Sequence, residues 1–306
     1  MQKIQRNKRI EGMAIPIFIQ NGSIFFVDLE VYEDGMVNCW ELVDLEGLKE
    51  KLESKWLLPF LQTEKEININ DLGSYKIGAS KWQFDEKSFY EHVLECLQKI
   101  NPKMENIYTI SEEEKLLWEK RRVCHCPDAT YFSVKQELFY ETMEGRSIDI
   151  FYRFKGKVYL TRLTTYNDKY IVLNRLPSEQ IYTLIEIEEM FSKGILFTEF
   201  QKTEWVIIYE LGEIEIIDAI YTYSSTEKLR EIQTNCKELG GSQSAFKQCQ
   251  IIYNEYLKGA TEELRQRLKE YYEEIPEHQR RYLGDMDCKD NDYRRIIYHP
   301  ERKRWV

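Results

Sequence analysis

At 306 residues, with 42% hydrophobic and 31% charged residues, the chain has ordinary globular composition and is long enough for two or three compact units. Its net charge of −10, from 43 Lys and Arg against 53 Asp and Glu, argues against a protein that coats nucleic acid, whose phosphates demand cations. No run approaches the ~18 apolar residues of a membrane span, no signal-peptide core follows the basic start MQKIQRNKRIEG, and seven scattered cysteines make no disulfide framework; a cytoplasmic protein without membrane contact is expected.

Three strands are expected between Ile15 and Val43, joined at Asn21-Gly22 and Asp34-Gly35, dipeptides that supply the positive φ of tight hairpin turns. Asp44 is placed to N-cap a short helix ending near Trp56. A second strand pair, EININ and YKIGASKWQF, turns near Gly73. Asp85 then caps a helix whose entry is fixed by Phe84 and Phe89 at hydrophobic-staple spacing and which Asn101-Pro102 stops. Ser111 and Glu114 open a charged helix with capping-box spacing.

Val134 to Asn174 predicts four strands punctuated by Gly145, Lys155-Gly156 and Asn167-Asp168, a meander rather than βαβ units. A short helix through Phe191 closes at Gly194, and EWVIIYEL and EIEIIDAIYTY turn at Gly212. Three helices follow, then the turn GDMDCKDND and a short strand, RRIIYH. No period of 20–50 residues repeats, which excludes a solenoid. The fold class is therefore α+β: an N-terminal antiparallel sheet with packed helices (1–110), a helical connector (111–127), a central β-rich acidic meander domain (128–225), and a C-terminal helical region ending in a short strand (226–306).

The run VYEDGMVNCWELVDLEGLKEKL, with IPIFIQNG before it, resembles an uncharacterised bacterial domain family of unknown function. The run YLKGATEELRQRLKEYYEEIPEHQRRYLGDMDCKD resembles it more weakly. The resemblance covers under half the chain, implies a bacterial or phage origin, and carries no activity and no catalytic residue.

Chemistry has three places to reside. Cys124, His125 and Cys126 offer zinc-type ligands, but the spacing is tight and the remaining ligands must come from Cys236, Cys249, Cys288 or His278. Asp285 and Asp287 open an Asp-rich stretch reaching Asp292 that is able to chelate Mg²⁺ or Ca²⁺, although Lys289 interrupts the ligand pattern of a calcium loop and Asp and Asn favour turns in any case. Asp149 and Lys157 stand on neighbouring strands, as in a metal-dependent nuclease, without the acid-x-Lys triplet such a site uses. No phosphate loop, dinucleotide fingerprint or nucleophile elbow is present, so no cofactor is expected.

Glu213, Glu215 and Asp218 share one strand of an acidic stretch, with Glu213 and Glu215 on one face, and suit docking of a basic partner. The 21 Tyr and 14 Phe suit both sheet packing and partner interfaces. The expectation is a non-enzymatic protein-interaction protein of bacterial or phage origin: an immunity protein, an inhibitor, or an accessory subunit of a defence complex. Its partners would be another protein or a second copy of the chain. A metal-dependent hydrolase, a nuclease using clustered carboxylates, is the competing class.

Overall fold

The computed structural model describes residues 4–6, 12–121, 132–134, 145–240, 245–284 and 289–302. Strand β1 (Ile4–Arg6) precedes the hairpin β2 (Gly12–Asn21) and β3 (Ser23–Tyr32), then the short strands β4 (Val37–Asn38) and β5 (Leu42–Val43). Helix α1 (Leu45–Glu53), strand β6 (Leu57–Leu58), the pair β7 (Glu66–Ile69) and β8 (Gly73–Trp82), and helix α2 (Glu86–Ile100) complete this run. Helix α3 (Glu112–Arg121) and strand β9 (Phe132–Val134) follow.

The order then starts again: hairpin β10 (Gly145–Phe154) and β11 (Lys157–Tyr166), strands β12 (Ile171–Asn174) and β13 (Gln180–Tyr182), helix α4 (Leu184–Ser192), strand β14 (Leu196–Phe197), the pair β15 (Glu204–Ile208) and β16 (Gly212–Thr222), and helix α5 (Ser225–Leu239). Helices α6 (Ala245–Lys258), α7 (Glu262–Glu274), α8 (Glu277–Arg280) and α9 (Asn291–Tyr298) come last.

The chain is thus an α+β protein containing an internal duplication. From α1 onward the caps of the two copies lie 139 residues apart: Asp44 and Thr183, Ser54 and Lys193, Asp85 and Ser224. Even the helix exits match, since the Trp56 N–H donates to the Lys51 carbonyl and the Ile195 N–H to the Met190 carbonyl. The period exceeds the 20–50 residues of solenoid repeats, and counterparts share physical type more than identity, so the composition of the chain gives no sign of it.

By packing, the chain forms two compact units: 1–70, 74–142 and 202–220 make the first, and 71–73, 143–201 and 221–306 the second. In the first unit the strand order is β15-β16-β8-β7-β3-β2-β6, with β4 on β3 and β5 on β4. The hairpin β2–β3 pairs from Gly12↔Tyr32 to Asn21↔Ser23 and turns at Gly22, φ +69°. Helices α1 and α2 pack against each other, α2 lies on β2 and β3, and the two helices bury Leu48, Leu52, Phe89, Val93 and Leu97. The expected antiparallel N-terminal sheet needs one correction: β3 and β7 run parallel, because the chain passes through α1 between them and returns in the same direction.

In the second unit β10, β11 and β12 supply three strands of the expected antiparallel meander, and residues 135–144 before Gly145 lie outside the described residues. Strand β13 adds a strand where the expected helix through Phe191 would begin, and β14 joins the free side of β10. Helices α6, α7 and α9 bury Cys249, Ile252, Leu268, Tyr272, Ile296 and Ile297 in a core of their own. The expected C-terminal strand is a helix, α9. Tyr293, Ile296 and Ile297 stand three and four residues apart, a helical stripe that a short apolar run conceals. No helix among the described residues is long and apolar enough to cross a membrane.

Candidate functional site: an aromatic hairpin tip

The third expected strand is broken in its middle, and the break makes the site. Pairing of Val37 with Val43 and Asn38 with Leu42 leaves Cys39, Trp40 and Glu41 to reverse the chain. A three-residue hairpin loop places one residue in the left-handed region, where Gly or Asn is least strained. Here that residue is Trp40, φ +69°. Cys39 turns inward, its N–H and Sγ both donating to the Glu41 carbonyl at 3.1 and 3.4 Å. Val37 and Val43 are buried beside it, so Trp40 is driven outward and is 54% exposed.

The indole does not stand alone. The ring of Phe25, from β3, lies 5.3 Å away, and Trp56, just past α1, meets it edge-on at 6.3 Å. Trp56 is placed by the helix exit: Lys55 is left-handed (φ +59°), and the Trp56 carbonyl accepts the Gln20 N–H at 2.9 Å. The Lys51 ammonium sits 4.1 Å over the Trp56 ring and 2.9 Å from the Glu41 carboxylate. Glu30 accepts from the Asn38 amide and the Tyr32 hydroxyl at 2.9 and 2.6 Å, and that last bond pushes the Tyr32 phenol up.

Three rings, a tethered cation and an acidic rim lie together at this tip. The nearby Cys39 thiol is pushed up, mainly by burial, away from the thiolate.

Of the residues expected from sequence, Glu213 and Glu215 do share one face of β16. Glu213 lies 3.8 Å from the Lys81 ammonium, which also covers the Trp205 ring at 4.7 Å. Glu215 folds across β8 and accepts the Ala79 N–H at 3.1 Å, over Gly78, where a Cβ would meet its Oε2 at 2.6 Å. Asp218 is exposed and accepts the Ala219 N–H at 2.8 Å, past the point where alternation along β16 stops.

Asp149 is ion-paired with Arg175 (3.0 Å) and near Arg162 (3.6 Å), and Lys157 sits at the far end of that hairpin, opposite Phe154. Asp285, Asp287, Cys124, His125 and Cys126 lie outside the described residues. Among the described residues no three His, Cys, Asp or Glu side chains converge to hold a metal. Much of the acidic surplus has local employment: Glu186 and Glu227 close capping boxes, Glu231 pairs with Lys228, and Glu238 pairs with Arg146.

Sequence reasoning missed Trp40, Trp56 and Phe25 as a group. The available signal was a tryptophan between Asn38 and Glu41 in a strand too polar there to be core.

These features define an internally duplicated α+β protein that presents an aromatic surface tip. It belongs to a family described as a domain of unknown function, DUF7638, whose model matches residues 1–104 and 133–243. Residues 244–304 match a second domain of unknown function, DUF7639. The two matched stretches correspond to the two copies. The C-terminal run YLKGATEELRQRLKEYYEEI therefore falls in a different domain family from VYEDGMVNCWELVDL. No curated protein and no solved structure matches the chain.

Proposed function

We propose that the protein is a non-enzymatic binding protein that recognises another protein through the Trp40 tip. One observation carries the reading: a bulky aromatic residue occupies a left-handed backbone position that the fold fills more cheaply with Gly or Asn, and its ring points outward. Strain kept at a surface has no value to folding. Tryptophan is among the side chains that most often dominate an interface.

The acidic rim and the net charge of −10 favour a partner whose apolar pocket is edged by Lys or Arg. The face of β16 carrying Glu213, with Trp205, and the exposed Asp218 offer further contacts of the same kind. In a bacterial or phage cell this describes an immunity protein, an inhibitor or an accessory subunit of a defence complex.

The test is Trp40→Asn in the full chain, tagged and purified from its native host beside wild type, with and without EDTA. The expected result is a stoichiometric partner that survives EDTA with wild type and is lost with Trp40→Asn, whose thermal midpoint is unchanged. The same bound proteins with both chains would overturn the reading.

A further inference from the structure

Within the second unit a cleft of about 610 Å³ opens beside α5, α7 and α9, in the size range of small-molecule sites. Its walls carry opposite charges. Arg230 and Lys237, with Thr234 between them, form one stripe along α5, and Glu238, which lines the cleft from the same helix, is paired with Arg146. Glu270, Glu273 and Glu274 form one stripe along α7. Among the described residues no ion pair joins the two stripes. Glu273 is instead held by the Tyr298 hydroxyl at 3.1 Å and by Lys269 at 3.9 Å, and Glu270 accepts from the Gln266 amide at 3.4 Å.

Arg280 also lines the cleft. Its guanidinium is fixed by the Ile275 and Glu273 carbonyls at 2.8 and 3.2 Å and by the Tyr272 ring at 4.9 Å. Carbonyl groups orient that cation without neutralising it. The cationic stripe is also private to the second copy, since the α2 counterparts of Arg230, Thr234 and Lys237 are Glu91, Glu95 and Gln98.

We propose that this cleft binds a small zwitterion, an amino acid or a short peptide. Its carboxylate would lie toward Arg230, Lys237 and Arg280, and its ammonium toward Glu270, Glu273 and Glu274. Two walls of opposite sign favour a molecule that carries both charges over one that carries either alone.

The test is isothermal titration of the full chain with four probes at matched ionic strength: the dipeptide Lys-Glu, L-lysine, L-glutamate, and an equimolar mixture of methylammonium and acetate. Saturable heat is expected from zwitterions and none from the separated charges. Binding by the free amino acids identifies them as the source, and binding by the dipeptide alone identifies a peptide.

The pair Arg230→Glu and Lys237→Glu should weaken binding about tenfold or more, as should Glu270→Lys with Glu274→Lys. The four changes together reverse these four charges while Glu273 and Arg280 keep theirs, and should bring binding back above that of either two-site variant, because a zwitterion is able to turn round. No saturable heat at millimolar probe, equal binding by the two-site variants, or a folded four-site variant that fails to recover would each overturn the proposal.

Discussion

The two copies bury their second long helix with different chemistry. On α2 the inward stripe is Phe89, His92, Val93 and Cys96, and on α5 the same positions are Lys228, Glu231, Ile232 and Asn235. Phe89 and Lys228 are both 0% exposed. The charge is tolerated because it is answered at once: the Lys228 ammonium lies 2.8 Å from the Glu231 carboxylate and 5.5 Å from the Tyr223 ring. Asn235 accepts from Arg146 at 3.3 Å, and Arg146 also reaches Glu238.

A second difference falls in the loops. The left-handed residue after β4 is Trp40, which points out, whereas the one after β12 is Arg175 (φ +58°), whose side chain is 10% exposed and ties to Asp149 at 3.0 Å. One backbone device thus turns a ring outward in the first copy and makes an internal tie in the second. What the copies share is what the fold requires, namely caps, turns and the apolar stripe.

The largest effect should come from splitting the buried pair. Lys228→Ala leaves Glu231 charged and buried, an expected cost of about 3–5 kcal/mol in urea unfolding, similar to Phe89→Ala at about 3–5 kcal/mol. The triple change Lys228→Phe, Glu231→His and Asn235→Cys transplants the first copy's residues and should land within about 2 kcal/mol of wild type, since a buried ion pair is often replaceable by apolar packing. A triple variant as unstable as Lys228→Ala would show that the surroundings of α5, and not the pair, demand the charges.

The loops come next. Arg175→Ala removes one cation from a buried carboxylate and should cost about 2–3 kcal/mol. Trp40→Asn relieves the backbone while losing ring packing and should change unfolding by no more than about 1 kcal/mol. Its effect belongs to binding, where loss of an anchoring tryptophan costs about 2 kcal/mol or more, roughly thirtyfold in affinity. Equal stability losses from the two substitutions would erase the distinction between tie and anchor.

A smaller separation is expected between the first-helix caps. Asp44 accepts the Gly47 N–H and, with its other oxygen, the Ile110 N–H, both at 2.8 Å. Thr183 serves its own helix alone, through its capping box with Glu186. Asp44→Ala should therefore cost about 2 kcal/mol and Thr183→Ala about 1 kcal/mol.

Local physics made much of this fold legible in advance. Asn21-Gly22, Asp85 with Phe84 and Phe89, Gly194 and Thr261 each act within a few residues, and each does what its chemistry requires. The parallel partner of β3 was not legible, because alternation marks a strand and not its neighbour. Residues 294–299 misled because six residues hold too few turns to separate a helical stripe from a strand. The Trp40 tip was hidden by strand-like alternation on either side, which says nothing of a residue that leaves the β region between two paired dipeptides. The duplication was hidden because Asp44 is answered by Thr183 and Asp85 by Ser224: cap formers all, but different letters.

The smallest contrast is a titration. His92 stacks on Phe84 at 4.7 Å, with Cys96 Sγ 3.8 Å from its Nε2, and burial lowers its pKa. Its counterpart in the second copy is Glu231, paired with Lys228, so the histidine has no equivalent there. A histidine whose pKa is lower folded than unfolded binds more protons in the unfolded chain. Its contribution to stability is therefore complete above the unfolded value near 6.5 and is lost as pH falls through the folded value. Urea unfolding at about pH 7.5 and about pH 5.5 should show wild type losing stability on acidification, and His92→Gln losing less, with other groups giving both chains a common background. A larger loss in His92→Gln would mean that the ring is stabilised when protonated, which would place an acidic partner beside α2 and remove this difference between the copies.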